Sequence, residues 1–194
     1  MSDATAQQLK RAEAALADRQ KAADEAKDAL VRLVAEGLPT RIDAIAKQTA
    51  QAQPEVTKTL GVDGVKQLRA DLATKADELA AELIEDGVDK IDWPEETSEW
   101  SRTTARNVHS AFFHYFYGRR ANGIAAVFKD HGYDVRDDNA QRSQGLVHPH
   151  SLYREDDMTV VAEAQNALGA ARRDYANAKK ADDADIVSGI WGDS

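Results

Sequence analysis

The chain of 194 residues contains no cysteine. Disulfides and thiolate metal sites are therefore excluded from its chemistry. Proline and glycine are scarce, at 4 and 11 residues, so few positions force a helix to stop. No apolar run approaches the roughly 18 residues of a membrane-spanning helix, and no membrane partner is expected. The opening "MSDATAQQLKR" lacks the apolar stretch of a secretory signal, so the expected address is the cytoplasm. A basic excess is missing as well. The net charge of −9 argues against nucleic acid as a partner of the surface as a whole. Recognisable catalytic patterns are also lacking: there is no glycine-rich phosphate loop, no nucleophile elbow and no HExxH. No cofactor is expected from the sequence.

What is abundant is alanine, at 35 residues, together with Glu, Lys, Leu and Arg. These are the strongest helix formers. The expected fold is all-α, a bundle of about five or six helices. Nothing breaks a helix from Asp3 to Glu36, and Gly37-Leu38-Pro39 reads as its stop. Within it Leu9, Leu16, Ala23 and Leu30 recur every seventh residue, with Ala12, Ala26 and Leu33 between them. This is a seam of mostly small residues, interrupted by Arg19.

A second helix is expected over 40–53 and a third from about Asp63 to Gly87, where Leu68, Leu72, Ala76, Leu79 and Leu83 make a clear amphipathic stripe. A further helix begins near Ser98, and "IAAVFKDHG" adds a short one closed by Gly132. Residues 133–156 show no period and read as an irregular loop. From Asp157 to about Asp185 a last long helix carries Val161, Leu168 and Tyr175 a heptad apart, with Ala164, Ala171 and Ala178 interleaved.

The chain thus divides into an N-terminal helix (1–36), a central body (38–156) with an aromatic helix (98–118), and a C-terminal helix with a tail (157–194). The two long alanine-rich helices have matched seams. They pair either as an antiparallel coiled coil or pack separately within a compact bundle.

Nine of the twelve aromatic residues fall between Trp93 and Tyr133, five of them in the six positions from Phe112 to Tyr117. On a helical wheel Ala105, Val108, Phe112, Tyr115 and Phe116 share one arc, while Thr103, Asn107, Ser110 and His114 oppose it. The stretch has an inside and an outside, so the rings are read as core. His109 lies at the flank of the apolar arc and is read as a structural hydrogen-bonding residue.

Charge is segregated nearby. Residues 77–99 hold ten acids against one lysine, and residues 100–129 hold five bases and no acid. The favoured reading is internal pairing of the two blocks. Head-to-tail contact between copies is the second. The third is an anion-binding patch centred on Arg119 and Arg120.

The tail "DDADIVSGIWGDS" sets Ile186, Ile190 and Trp191 among acids and glycines. An apolar anchor of this kind either docks on its own fold or inserts into a partner, making these three the candidate partner-binding residues. The expected function is that of a non-catalytic helical assembly or adaptor protein, with itself or another protein as partner, a component of a multi-copy particle being one form of this. The alternative is a small helical enzyme or ligand-binding protein that uses His109, or a metal held by His148 and His150 in "VHPHSLY". His-x-His alone is a weak signature, so no metal site is assigned.

Overall fold

The computed structural model of the chain describes residues 3–94, 101–117, 119–135 and 151–191. Five α-helices account for most of them: α1 (Asp3–Ala52), α2 (Pro54–Lys90), α3 (Ser101–Phe116), α4 (Arg119–Asp130) and α5 (Thr159–Trp191). A short 3-10 helix at Glu155–Met158 precedes α5. There is no strand among the described residues. The all-α class expected from composition is what the chain adopts. None of the described helices is long and apolar enough to cross a membrane.

Two compact units are present, and neither is a continuous stretch of chain. Unit 1 takes Met1–Asp28, Pro94–Val108 and Thr159–Ser194; unit 2 takes Ala29–Trp93 and His109–Met158. Helices α1 and α3 each contribute to both.

In unit 2 the second half of α1 buries a wide arc: Leu30, Val31, Val34, Ala35, Leu38, Ile42, Ile45 and Ala46. Helix α2 buries the single stripe Leu68, Leu72, Ala76, Leu79 and Leu83. That stripe continues to Gly87, where an added Cβ would lie 2.7 Å from Leu83 and 3.3 Å from Val31. The aromatic residues fill the rest of this core. Phe112, Phe116 and Phe128 are fully buried, and His114 is exposed as the wheel requires. Tyr153 packs against both Phe112 and Phe116 at ring-centroid distances of 5.6 Å. Trp93 meets Phe112 edge-on at 5.7 Å, and its indole N–H donates to the Val88 carbonyl at 2.7 Å. The polar end of the ring is thereby satisfied.

The expected stop at Gly37-Leu38-Pro39 does not occur: α1 continues through Pro39 to Ala52. A proline inside a helix removes one ladder bond and costs about 3 kcal/mol. Here the ring lies on the exposed side of the helix, while Leu38 and Ile42 beside it are fully buried. Burying side chains of that size gains about 1.5–3 kcal/mol each, which outweighs the break. Gly37 serves a different end. A Cβ there would lie 3.1 Å from the Arg41 guanidinium carbon, so the glycine leaves room for that side chain to lie along the helix. Arg41 then donates to the Leu152 carbonyl at 2.9 Å and to Asp157 Oδ2 at 2.7 Å. The Asp157 carboxylate also accepts the Arg154 backbone N–H at 3.2 Å, so one cation fastens the 152–157 segment to α1.

The expected helix start at Asp63 also shifts. Helix α2 begins at Pro54, with proline in the first turn, where its missing N–H costs nothing. The signal near Asp63 marks an internal kink, since Gly61 has φ 64°. Helix α4 ends where expected. Gly132 (φ 84°) follows its last turn, the Gly132 N–H bonds the Lys129 carbonyl and the Tyr133 N–H bonds the Phe128 carbonyl. With the Tyr133 ring set perpendicular to Phe128 at 6.0 Å, this is a complete Schellman cap.

In unit 1, the first part of α1 and helix α5 run antiparallel. The Thr5 hydroxyl donates to Asp185 at 3.1 Å, and Arg172 donates to the Gln20 side-chain oxygen at 3.1 Å. Val161, Ala162, Leu168, Ala171 and Ala178 are buried apolar residues of α5. On α1 this unit buries only Ala23 and Ala26, and no residue from 4 to 22 is buried. The seam residues Leu9 and Leu16 are half-buried. Helix α5 continues past Asp185, so the tail is helical through Trp191.

Candidate functional site

Among the described residues, three places have chemistry beyond packing. The first is a groove of about 780 Å³ in unit 1, between the first turns of α1 and the middle of α5. Its α1 wall carries Arg11, Ala15 and Arg19; its α5 wall carries Ala167, Ala170 and Asp174. Alanine recurs here because both helices repeat it at heptad-related positions, and its small side chain leaves a concave surface between them. Arg11, Arg19 and Asp174 make no hydrogen bond or ion pair with any described residue. Arg19, which interrupts the small-residue seam in the sequence, is therefore a wall of this groove.

The second place is a smaller groove of about 380 Å³ in unit 2, between α1 and α2. Its floor is apolar (Ile42, Ala46, Leu72, Ala76), and Asp43 and Arg69 face each other across it in an ion pair of 2.9 Å. Asp43 is also paired with Lys47 at 2.8 Å. The hydrogen bond from Lys47 holds its carboxyl below the ordinary range, burial opposing, with both cations adding to the lowering. The charges at this rim are already matched.

The third place is the junction of α3 and α4. Arg120 donates to the Tyr115 carbonyl at 2.7 Å and to Glu82 at 2.6 Å, with its guanidinium carbon 3.8 Å from the centre of the Tyr115 ring. Burial pushes the Tyr115 phenol up, and the nearby Arg120 opposes this. The Tyr115 hydroxyl has no hydrogen-bond partner among the described residues. Glu82 belongs to the acidic block and Arg120 to the basic one, so this contact joins the two internally. An anion would have to displace Glu82 to reach Arg120. The side chain of Arg119 lies outside the described residues.

The remaining candidates are dispersed. His109 is half-buried, with its ring edge-on to Tyr153 at 5.4 Å. The Tyr153 hydroxyl donates to the His109 carbonyl at 3.5 Å. His109 is thus set in the aromatic cluster of unit 2. His148 and His150 lie outside the described residues, and among the described ones no three His, Asp or Glu side chains converge as a metal site would need. Ile186 is half-buried on α5, while the side chains of Ile190 and Trp191 lie outside the described residues. His131 is part of a tie between helices: its Nε2 lies 2.8 Å from Asp71 on α2.

Sequence reasoning missed Arg11 and Asp174, which carry no local signature. It missed Arg41 because Gly37, four residues earlier, reads as a stop rather than as space for a side chain. No family model, no curated protein and no solved structure matches this chain.

Proposed function

We propose that the protein is a non-catalytic helical assembly or adaptor protein, acting through self-association and through contacts made by its helix surfaces. One observation supports this most directly. Residues 4–22 of α1 form regular helix yet bury no side chain fully, and the groove beside them carries charges with no partner among the described residues. A helix of this length draws most of its stability from tertiary burial. One that contributes so little to its own core has its use on the outward face.

Size-exclusion chromatography with light scattering, run at low and high salt and at several concentrations, tests the reading. Association that depends on concentration is expected. A monomer at every concentration and salt, with nothing retained from a native lysate, would overturn it.

A further inference from the structure

We propose that the groove of unit 1 is a homotypic interface, occupied by the same groove of a second copy of this chain. The proposal rests on the self-association reading and specifies its surface. Two features of the groove select this occupant. First, its walls carry opposite charges, Arg11 and Arg19 on α1 and Asp174 on α5, and none is paired with another described residue. A surface with a cation on one wall and an anion on the other is complementary to itself. When a two-fold axis runs along the groove, α1 of one copy lies over α5 of the other. Arg19 then meets Asp174 twice, once from each side, as an isologous contact requires.

Second, the hydrogen bonds that set the register, Thr5 to Asp185 and Arg172 to Gln20, place Arg19 and Asp174 at nearly the same level along the helix pair. A two-fold axis along the groove preserves levels, so the two residues stay in register across the interface. The result is four antiparallel helices with alanine at their closest approach, a geometry that bundles adopt readily.

Area sets the strength. The groove spans residues 8 to 19 of α1, about 17 Å of helix at 1.5 Å per residue. Two helices of that length bury less than the roughly 800 Å² per partner of a standard interface. The dimer is therefore expected to be reversible, forming as concentration rises into the micromolar range and above.

The test is light scattering on the full chain, loaded at a few micromolar and at a few hundred micromolar. Five forms are compared: wild type, Ala170→Glu in the groove, Arg19→Asp, the double swap Arg19→Asp with Asp174→Arg, and Ala44→Glu on an exposed position of unit 2 as control. Circular dichroism checks that each form keeps its helix content. Wild type and the control are expected to dimerise alike, and Ala170→Glu to remain monomeric. Arg19→Asp should bind about tenfold more weakly, since two attractive pairs become repulsive. The double swap should recover the wild-type affinity. If wild type dimerises but Ala170→Glu and Arg19→Asp dimerise equally well, the groove is not the interface, although self-association stands. Open-ended assembly of the wild type would also overturn the closed two-fold arrangement. If wild type is monomeric throughout, both the groove and the self-association reading fall.

Discussion

One helix runs through both units, and its two halves are governed by different physics. From Ala29 onward α1 buries large branched side chains at nearly every inward position, with Leu38 and Val34 fully shielded from water. Before Asp28 it buries two alanines. The backbone is the same regular helix in both. The second half is held by apolar area removed from water, and it tolerates a proline because that area is large. The first half has little such area, and is held by good helix formers, a few polar contacts to α5 and half-buried leucines. Regular secondary structure therefore says little about where stability resides.

Matched truncations in the two halves of α1 carry the largest expected difference. Leu38→Ala, in unit 2, is expected to lower unfolding free energy by about 3 kcal/mol through lost burial and a residual cavity. Leu16→Ala, on the same helix in unit 1, should cost less than about 1 kcal/mol, because its side chain is only half-buried. Urea unfolding followed by circular dichroism measures both. Equal costs would mean that the first half of α1 is covered in solution to the same degree as the second.

Arg41 makes the next largest contrast. Its pair with Asp157 is shielded, each side chain being 15% exposed. Arg41→Ala leaves the Leu152 carbonyl without its donor and the Asp157 carboxylate with the Arg154 backbone N–H alone, and about 2–3 kcal/mol should be lost. Arg172→Ala removes an exposed contact to Gln20 in unit 1 and should cost no more than about 0.5 kcal/mol. Arg41→Lys separates charge from geometry. A lysine keeps the charge but lacks the fork that reaches two acceptors at once, so part of the loss should remain.

Much of unit 2 was legible in the sequence. The stripe from Leu68 to Leu83 fell at helical spacing because one face of α2 meets a core, and the aromatic run sorted on a wheel for the same reason. Gly132 was legible because a left-handed cap has few alternatives to glycine. What failed were local signals overridden by distant contacts. Gly37 and Pro39 have the chemistry of a stop, yet the buried residues around them hold the helix together. The tail around Ile186 reads as an appendage, yet α5 extends through it. The groove was least legible of all, because Arg11, Arg19 and Asp174 acquire meaning only once two helices separated by more than a hundred residues lie side by side.

The cap after α4 gives a smaller effect. Gly132 has space for a methyl group, the nearest atom to an added Cβ being Val56 Cγ1 at 3.9 Å. The cost of Gly132→Ala is then conformational, from forcing a side chain into φ 84°, and should be about 1 kcal/mol. A larger loss would show that the Tyr133 contacts to Phe128 and Thr57 depend on the cap geometry and fall with it.

The smallest effect is one of pH, and it again belongs to unit 2. Asp71 on α2 accepts a hydrogen bond from His131, which follows α4, and another from Gln67; these, in that order, hold its carboxyl below the ordinary range. The folded state thus binds a proton less readily than the unfolded one. The stabilisation is complete above the unfolded carboxylate value of about 3.9 and fades as pH falls through the lowered one. Asp71→Asn removes both the charge and its titration. Wild type and Asp71→Asn should therefore differ in urea midpoint at pH 7, and converge as the solution is acidified below pH ~4. His131→Ala should reduce the pH 7 difference, because the principal hydrogen bond is gone. A gap between wild type and Asp71→Asn that stays constant with pH would mean that the carboxylate's charge is not what ties α2 to the end of α4, leaving apolar packing to account for that junction as it does for the rest of this unit.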